Sequence, residues 1–208
     1  MPDAPEGLRA RKRRKTLIGI QSAAVRIALA EGIDAVTVDR VCAEVDVSRS
    51  TFFNYFPNRD AAIVGLPMEI IGGDEAYAVL DEHAPDVLKG VLALFFHSLG
   101  HMNFNADLAR MRFELSEREP SVQRMKTVRT VETGARAIRV VTEWLELHPE
   151  HRRLAGSAER EATLSVNTVY VAVEAMTSVW RAAEGEIEAT YPEFDEVLDE
   201  LRVLLTPR

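Results

Sequence analysis

The chain has 208 residues, of which 47% are hydrophobic and 28% are charged, a composition typical of a folded globular protein and not of a disordered one. Its single cysteine, Cys42, excludes an internal disulfide and a cysteine-based metal cluster within one chain, and its place on an apolar helical stripe favours a buried core residue. The apolar run 17–20 is too short for a signal peptide, and the longest uncharged stretch, 90–106, contains two histidines and two asparagines. We therefore expect a cytoplasmic protein with no membrane partner.

The net charge of −8 is unevenly distributed along the chain. Residues 1–60 contain 10 Lys and Arg against 8 Asp and Glu, whereas residues 61–208 contain 15 against 25. Six of the seven residues in 9–15 are basic. This asymmetry predicts an N-terminal segment that meets a polyanion and a body that does not.

The first predicted elements are two helices. Residues 12–31 carry apolar side chains at helical spacing, and Gly32 supplies a C-terminal stop. Thr37 is a good N-cap for a second, short helix over 38–45. Asp46 follows this helix and interrupts the apolar pattern.

A further short helix follows the interruption. Ser48 is a suitable N-cap, and the helix ends before Pro57 because proline disfavours helical geometry in the residue that precedes it. Asn58 then caps another helix. Two short helices joined by a turn of three to four residues form a helix-turn-helix motif, which the sequence predicts at about residues 37–56.

The second helix of this motif lies in the segment DVSRSTFFNYFPNRD, residues 46–60, which has four aromatic residues within five positions. Phe52 and Phe56 are four residues apart and share one face, whereas Ser50 and Asn54 share the opposite face. A helix of two turns is not stable alone. We therefore expect the two phenylalanines to anchor it, leaving a small polar face exposed.

The segment TVDRVCAEVDVSRSTFFNYFPNRDAAI resembles the N-terminal DNA-binding domain of the TetR family of transcriptional repressors. The resemblance covers about residues 12–66. Three positions depart from the family pattern. Asp46 stands in place of the usual turn glycine, Phe53 in place of a common tyrosine, and Arg59 in place of the usual lysine. Aspartate tolerates left-handed backbone geometry, so the turn is expected to form.

The resemblance implies that residues 48–55 form a recognition helix in the major groove and that a dimer meets half-sites about 34–36 Å apart. Base readout is assigned to Arg49, Ser50 and Asn54, because arginine can bridge guanine and asparagine can bridge adenine. The basic run either reaches a minor groove or adds only counterion release. The predicted DNA-contacting residues are Arg11, Lys12, Arg13, Arg14, Lys15, Thr37, Ser48, Arg49, Ser50, Thr51, Asn54, Tyr55 and Arg59.

The rest of the chain, 67–208, is helical by composition, which predicts an all-α protein with a three-helix head and a larger helical bundle. Residues 87–102 read as a helix buried on most faces, and 121–147 and 162–185 as two long helices. The resemblance implies that 67–208 is a ligand-binding and dimerisation domain whose last two long helices form the interface of a homodimer. The predicted interface residues are Val173, Trp180, Phe194, Val197, Leu198, Leu201 and Leu205.

The family also places a pocket for a small molecule among these helices. Candidate lining residues are polar ones within apolar helices, namely His97, His101, Asn167, Tyr170 and Glu174. For the two histidines, an ordinary interior or surface pair is favoured over pocket lining. The other three residues suit either a pocket or a polar contact between subunits. A histidine pair at i, i+4 can bind zinc, but no third ligand presents itself, so no metal and no cofactor are predicted.

These observations predict a sequence-specific DNA-binding regulator, a homodimeric repressor that a small apolar or amphipathic ligand releases from a palindromic operator. One alternative is a small helical enzyme that uses His97 or His101, although the sequence has no nucleophile elbow and no glycine-rich phosphate loop. The other is a helical adaptor protein, which leaves the basic run beside a helix-turn-helix unexplained. Steep salt dependence of DNA binding separates the regulator from both alternatives.

Overall fold

The computed structural model describes residues 8–66, 68–99, 103–180 and 182–206. Its regular elements are almost all helical, so the predicted all-α class is confirmed. In chain order the helices are α1 (Leu8–Glu31), α2 (Val38–Val45), α3 (Arg49–Tyr55), α4 (Arg59–Val64), α5 (Gly73–His83), α6 (Val87–Leu99), α7 (Ala106–Arg118), α8 (Pro120–Leu147), α9 (Ala158–Trp180) and α10 (Tyr191–Leu205). Two three-residue strands, β1 (Asn103–Asn105) and β2 (Glu186–Glu188), accompany them.

The chain forms two compact units. Of the described residues, those up to 66 and those of 107–127 form the first unit, and those of 68–106 and 128–206 form the second. The boundary within the second half of the chain falls inside α8, between Thr127 and Val128. Residues 107–127, which the sequence analysis places in the body, are therefore grouped with the N-terminal helices.

The first unit has its own hydrophobic core beneath the helix-turn-helix. Phe52 and Phe56 of α3 are buried there together with apolar residues of α1, α2 and α4. Leu115 of α7 belongs to the same core. In addition, Nε of Arg112 donates a hydrogen bond of 2.9 Å to the carbonyl of Ile63, near the end of α4. Since the last carbonyls of a helix lack partners within it, α7 completes the end of α4.

The core of the second unit surrounds α6. Every side chain from Val91 to Phe96 is buried, as expected for a helix that is apolar nearly all round. Trp144 of α8, Val166 of α9 and Phe194 of α10 are buried in the same core. No helix in the described part of the chain is long and apolar enough to cross a bilayer.

The strand pair is a feature that the sequence analysis does not predict. β1 and β2 are antiparallel, with Phe104 opposite Ile187, and the N–H of Ala106 donates to the carbonyl of Gly185 at 2.8 Å. Three residues are too few to show an alternating pattern. α9 ends at Trp180, before the predicted end near residue 185, and β2 follows it at Glu186.

Candidate nucleic-acid interface

The geometry of the helix-turn-helix is set by side chains that cap its short helices. The hydroxyl of Thr37 accepts a hydrogen bond from the N–H of Arg40 at 3.2 Å, and that of Ser48 accepts one from the N–H of Thr51 at 3.0 Å. The carboxamide oxygen of Asn58 likewise accepts a hydrogen bond from the N–H of Ala61 and so caps α4. The three predicted N-caps are therefore confirmed. Because each cap fixes where a helix begins, these residues set the register of α2, α3 and α4.

The turn between α2 and α3 depends on Asp46. This residue has φ 53° and ψ 52°, which is left-handed, and it is the one non-glycine residue with positive φ in the described part of the chain. Its N–H donates to the carbonyl of Cys42, which ends α2. The expectation that aspartate replaces glycine in this turn is confirmed. The thiol of Cys42 is itself buried, and this burial raises its pKa.

The two faces of α3 are arranged as the sequence predicts. Phe52 and Phe56 are fully buried, with ring centroids 5.9 Å apart. Ser50 and Asn54 are exposed on the opposite side. The adjacent Phe53 is 47% exposed and contacts the ring of Phe52 edge-on at 5.5 Å. The aromatic residues thus fix α3 to the core and leave a small polar surface in solution.

Arg49, at the start of α3, is held in place within the free protein. Its guanidinium forms an ion pair with Asp39 of α2 and lies 5.9 Å from the centroid of the Phe53 ring. Both partners of the ion pair are more than half exposed, so the pair stabilises the fold by about 1 kcal/mol at most. Arg49 can therefore exchange Asp39 for a base or a phosphate at low cost.

Arg59, at the start of α4, has a structural role in addition to its charge. Its guanidinium donates to the carbonyls of Ile33 and Val36 at 3.3 and 3.1 Å, and so braces the single 3-10 turn that precedes α2. The side chain remains 37% exposed. Of the other predicted phosphate contacts, Thr37 is exposed, and Tyr55 is half-buried.

The basic run is helical. Residues 11–15 belong to α1, which begins four residues earlier than the expected start at Lys12. The side chains of Arg11, Lys12, Arg13 and Lys15 are exposed, and Arg14 is half-buried. A helical conformation favours the second of the two predicted roles, counterion release, over an extended arm in a minor groove.

The predicted histidine pair is not supported as a pocket. His97 is exposed, and its Nδ1 lies 3.1 Å from the carbonyl of Ala93 one turn earlier in α6. His101 lies outside the described residues. A depression of about 250 Å³ exists in the second unit, but its lining residues, which include Val87, Glu161 and Leu164, contain none of the predicted ligand contacts.

The predicted polar stripe on α9 is divided between two faces. Asn167 and Glu174 are exposed, and Asn167 donates to the carbonyl of Thr163 at 2.7 Å. Tyr170 is turned toward α6, with its ring 5.1 Å from that of Phe95, and burial raises its pKa to about 12. Tyr170 is separated from the other two residues because positions seven apart on a helix lie on one face, whereas position i+3 lies about 60° away from that face.

The residues predicted for a dimer interface largely pack within their own chain. Trp180, Phe194 and Leu198 are buried in the core of the second unit, and Leu205 is 81% exposed. The remaining predicted residues, Val173, Val197 and Leu201, pack partly buried against the same core. In this conformation the three buried side chains offer no surface to a partner. The dimer stays a prediction, and α9 and α10 also carry exposed apolar residues.

Sequence reasoning missed a second group of histidines. His148 and His151 follow α8, and one ligand atom from each lies within 4.8 Å of the carboxylate of Glu150 and of each other. The signal was present as the tetrapeptide His-Pro-Glu-His, residues 148–151, in a chain with five histidines.

Comparisons with known proteins agree with the helix-turn-helix geometry. Residues 20–62 match the family model of the bacterial regulatory proteins of the tetR family. The chain is also 26% identical over 214 residues to the HTH-type transcriptional regulator TcmR of Streptomyces glaucescens, an alignment that covers 97% of this chain and 88% of TcmR.

The chain is also similar to a solved structure of Thermus thermophilus FadR, a TetR family transcriptional repressor in complex with lauroyl-CoA. The sequence identity is 18% and the TM-score is 0.31, and the alignment covers 92% of this chain and 96% of FadR. The assignment does not depend on this weak likeness. It depends on the family match over α1–α4, on the similarity to TcmR and on the capped helix-turn-helix. Residues 20–62 therefore match the DNA-binding domain of the TetR family, and the chain is similar over nearly its whole length to a helix-turn-helix transcriptional regulator.

Proposed function

We propose that the protein binds a palindromic operator as a homodimer and represses transcription until a small molecule releases it. The observation that supports this most strongly is the arrangement of α3, in which Phe52 and Phe56 are buried while Ser50 and Asn54 are exposed. Such a helix can present hydrogen-bonding side chains to DNA while its two phenylalanines stay buried in the core. A protein that reads chromosomal DNA works in the cytoplasm, in keeping with the localisation predicted from sequence.

In this proposal, two kinds of contact hold the operator. Arg49, Ser50 and Asn54 read base edges in the major groove, where hydrogen-bond patterns distinguish the four base pairs. The hydroxyls of Thr37 and Thr51, the phenol of Tyr55, the cap residue Ser48 and the cation Arg59 contact phosphates. The exposed basic residues at the start of α1 add a contribution that does not depend on sequence.

The charge of residues 11–15 gives a direct test of nucleic-acid binding. We expect the logarithm of the association constant for operator DNA to fall steeply and linearly with the logarithm of salt concentration. Replacing Lys12 and Lys15 with glutamine removes up to four charges from a dimer. Since each phosphate contact contributes about 0.9 to the slope, the slope should become shallower by up to about 3.6. Fluorescence anisotropy at several salt concentrations measures it.

The matched control replaces Arg136 and Arg139 with glutamine, because these are two exposed cations on α8 in the second unit. The control should leave the slope unchanged. Binding that does not respond to salt, or equal slopes for the two double variants, would overturn the proposal that the head meets DNA.

Dimerisation is proposed through the exposed apolar face of α9 and α10. On α9, Leu164 and Val171 are about half exposed, and Val179 is 71% exposed. Asn167 and Glu174 lie between them on the same exposed side. At the end of α10 three consecutive apolar residues, Val203, Leu204 and Leu205, are at least 75% exposed. Apolar residues repeated on one helical face at this spacing are typical of helix–helix interfaces.

Replacing Val171 with glutamate should therefore weaken the dimer by at least about tenfold, because a twofold interface contains the new charge twice. Analytical ultracentrifugation over a concentration series measures the dimer dissociation constant. Val131→Glu is the control, since Val131 of α8 is 65% exposed and lies away from α9 and α10 in sequence. A monomeric parent protein, or equal effects of the two variants, would contradict this surface.

The ligand is proposed to bind within the second unit, beside Tyr170 and Phe95. These rings pack together, and the Tyr170 hydroxyl lies 3.5 Å from the carbonyl of Thr130. Apolar surroundings with one phenol would suit an apolar or amphipathic molecule with a single polar group. Thermal-shift screening identifies such a compound, because a ligand at ~100 times its dissociation constant adds ~2.7 kcal/mol to stability.

A further inference from the structure

Three side chains that bind metals well converge just after α8. His148 follows the last residue of this helix, and Pro149–His151 form a single 3-10 turn. Nδ1 of His148 lies 3.5 Å from Oε1 of Glu150, and Nε2 of His151 lies 3.9 Å from the same oxygen. The three ligand atoms are all within 4.8 Å of one another.

These distances are close to those of a metal site. In a tetrahedral zinc site with bonds of about 2.0–2.1 Å, neighbouring ligand atoms lie about 3.4 Å apart. The observed separations of 3.5 and 3.9 Å lie close to that value, whereas the ligand nitrogens of the two histidines, which are within 4.8 Å of each other, would approach further on binding. Two imidazoles and one carboxylate are also a known ligand set for zinc, with the fourth position open to water or another ligand.

A second carboxylate lies behind the first histidine. Nε2 of His148, the nitrogen that faces away from Glu150, is 3.7 Å from Oδ1 of Asp81 on α5. The same oxygen accepts a hydrogen bond of 2.8 Å from Nε1 of Trp144. A carboxylate on the distal nitrogen of a metal-binding histidine fixes its tautomer and its ring orientation. Asp81 is placed to do this for His148.

The two imidazole rings are preorganised by stacking. The ring of Trp144 lies 5.1 Å from that of His148 and 5.4 Å from that of His151, and the latter pair is nearly parallel at 9°. Both histidine side chains are about three-quarters buried. Ligands held in this way lose little conformational freedom when an ion binds.

The backbone that follows the turn is also fixed. The carboxylate of Glu161, buried at 4% exposure, accepts hydrogen bonds from the N–H groups of Arg153 at 2.7 Å and Leu154 at 3.1 Å. Pro149 restricts the backbone between His148 and Glu150. These contacts fix the backbone of the segment that carries the three ligands.

We propose that His148, Glu150 and His151 bind one divalent transition-metal ion of the zinc class per chain, with Asp81 orienting His148. Two neutral imidazoles and one carboxylate leave a bound divalent ion with one positive charge, which Asp81 balances. Imidazole and carboxylate ligands in this number suit Zn²⁺ or Co²⁺ better than Mg²⁺ or Ca²⁺, which prefer oxygen ligands. The site ties the end of α8 to α5 through Asp81.

Cobalt provides the test, because it substitutes for zinc and has visible absorption bands that tetrahedral coordination intensifies. The full chain is prepared without a histidine tag and stripped of metal with a chelator. In a Trp180→Phe background, Trp144 is the only remaining tryptophan. We expect one equivalent of Co²⁺ to produce the visible bands and to quench Trp144 fluorescence, and Zn²⁺ to reverse both effects.

Glu150→Gln should weaken Co²⁺ binding by at least tenfold, and Asp81→Asn by roughly 10- to 100-fold. Glu150 is exposed, so its replacement keeps the fold, and circular dichroism verifies this for each variant. Glu146→Gln removes the same charge one helical turn earlier, and His97→Ala removes an exposed histidine on α6, so both should bind like the parent. Absence of the visible bands at one equivalent, or equal binding by Glu150→Gln and Glu146→Gln, would refute the site.

Discussion

Replacing Phe52 with alanine is expected to destabilise the first unit by about 3–5 kcal/mol, the usual cost of truncating a fully buried phenylalanine. The side chain has no exposed surface and packs against Phe56 in the core beneath α3. Since α3 is only seven residues long, it is not expected to remain helical without this buried side chain. DNA binding should be lost together with the fold of this unit.

The measurement must report on the first unit alone. Both tryptophans, Trp144 and Trp180, belong to the second unit, so tryptophan fluorescence does not follow unfolding of the first. Hydrogen exchange measured on peptides from residues 38–64 follows the unfolding of the first unit directly. We expect these peptides to lose protection in Phe52→Ala while peptides from α6 keep theirs.

The neighbouring phenylalanine is the matched control. Phe53 lies in the same helix, has the same size and is 47% exposed. Phe53→Ala should cost about 1 kcal/mol or less, because surface substitutions rarely cost more. Equal losses of protection in the two variants would mean that α3 is not anchored through Phe52.

The second large effect concerns sequence selectivity. Replacing both Ser50 and Asn54 with alanine is expected to reduce strongly the preference for the operator over unrelated DNA, with Arg49 left as the remaining proposed base contact. One good base contact discriminates by roughly 1–3 kcal/mol, so loss of the Asn54 contact alone should weaken operator binding by about 5- to 150-fold. Both side chains are exposed and outside the core, so stability should change little.

The experiment begins with an operator selected by the parent protein from random DNA. Affinities for this operator and for a scrambled sequence are then compared at one salt concentration. Arg59→Ala is the contrasting variant. It should weaken binding to both sequences alike, since Arg59 is proposed to contact a phosphate and also supports the turn before α2. A double variant with full selectivity would refute the assignment of base contacts to α3.

The predictions that succeeded are those that depend on neighbours in sequence. Thr37, Ser48 and Asn58 were identifiable as caps because a cap acts on the N–H three residues later. The faces of α3 followed from the spacing of its phenylalanines for the same reason. The DNA contacts assigned to this helix remain a proposal.

The predictions that needed revision concern the second unit. The apolar stripe of α10 was expected at a dimer interface, but Phe194 and Leu198 lie in the core of their own unit. An amphipathic stripe indicates that a helix packs against something, and it does not distinguish its own chain from a partner. Of the α10 residues predicted for the interface, Leu205 is the largely exposed one.

The sequence alone determined the helix-turn-helix, its caps, its left-handed turn at Asp46 and the buried and exposed faces of α3, because all of these arise from interactions within four residues or so. The tertiary structure alone decided that residues 107–127 join the first unit and that Asp81 stands behind His148. Such pairs are distant along the chain. Which distant faces meet depends on how whole helices pack, and no local periodicity records that choice.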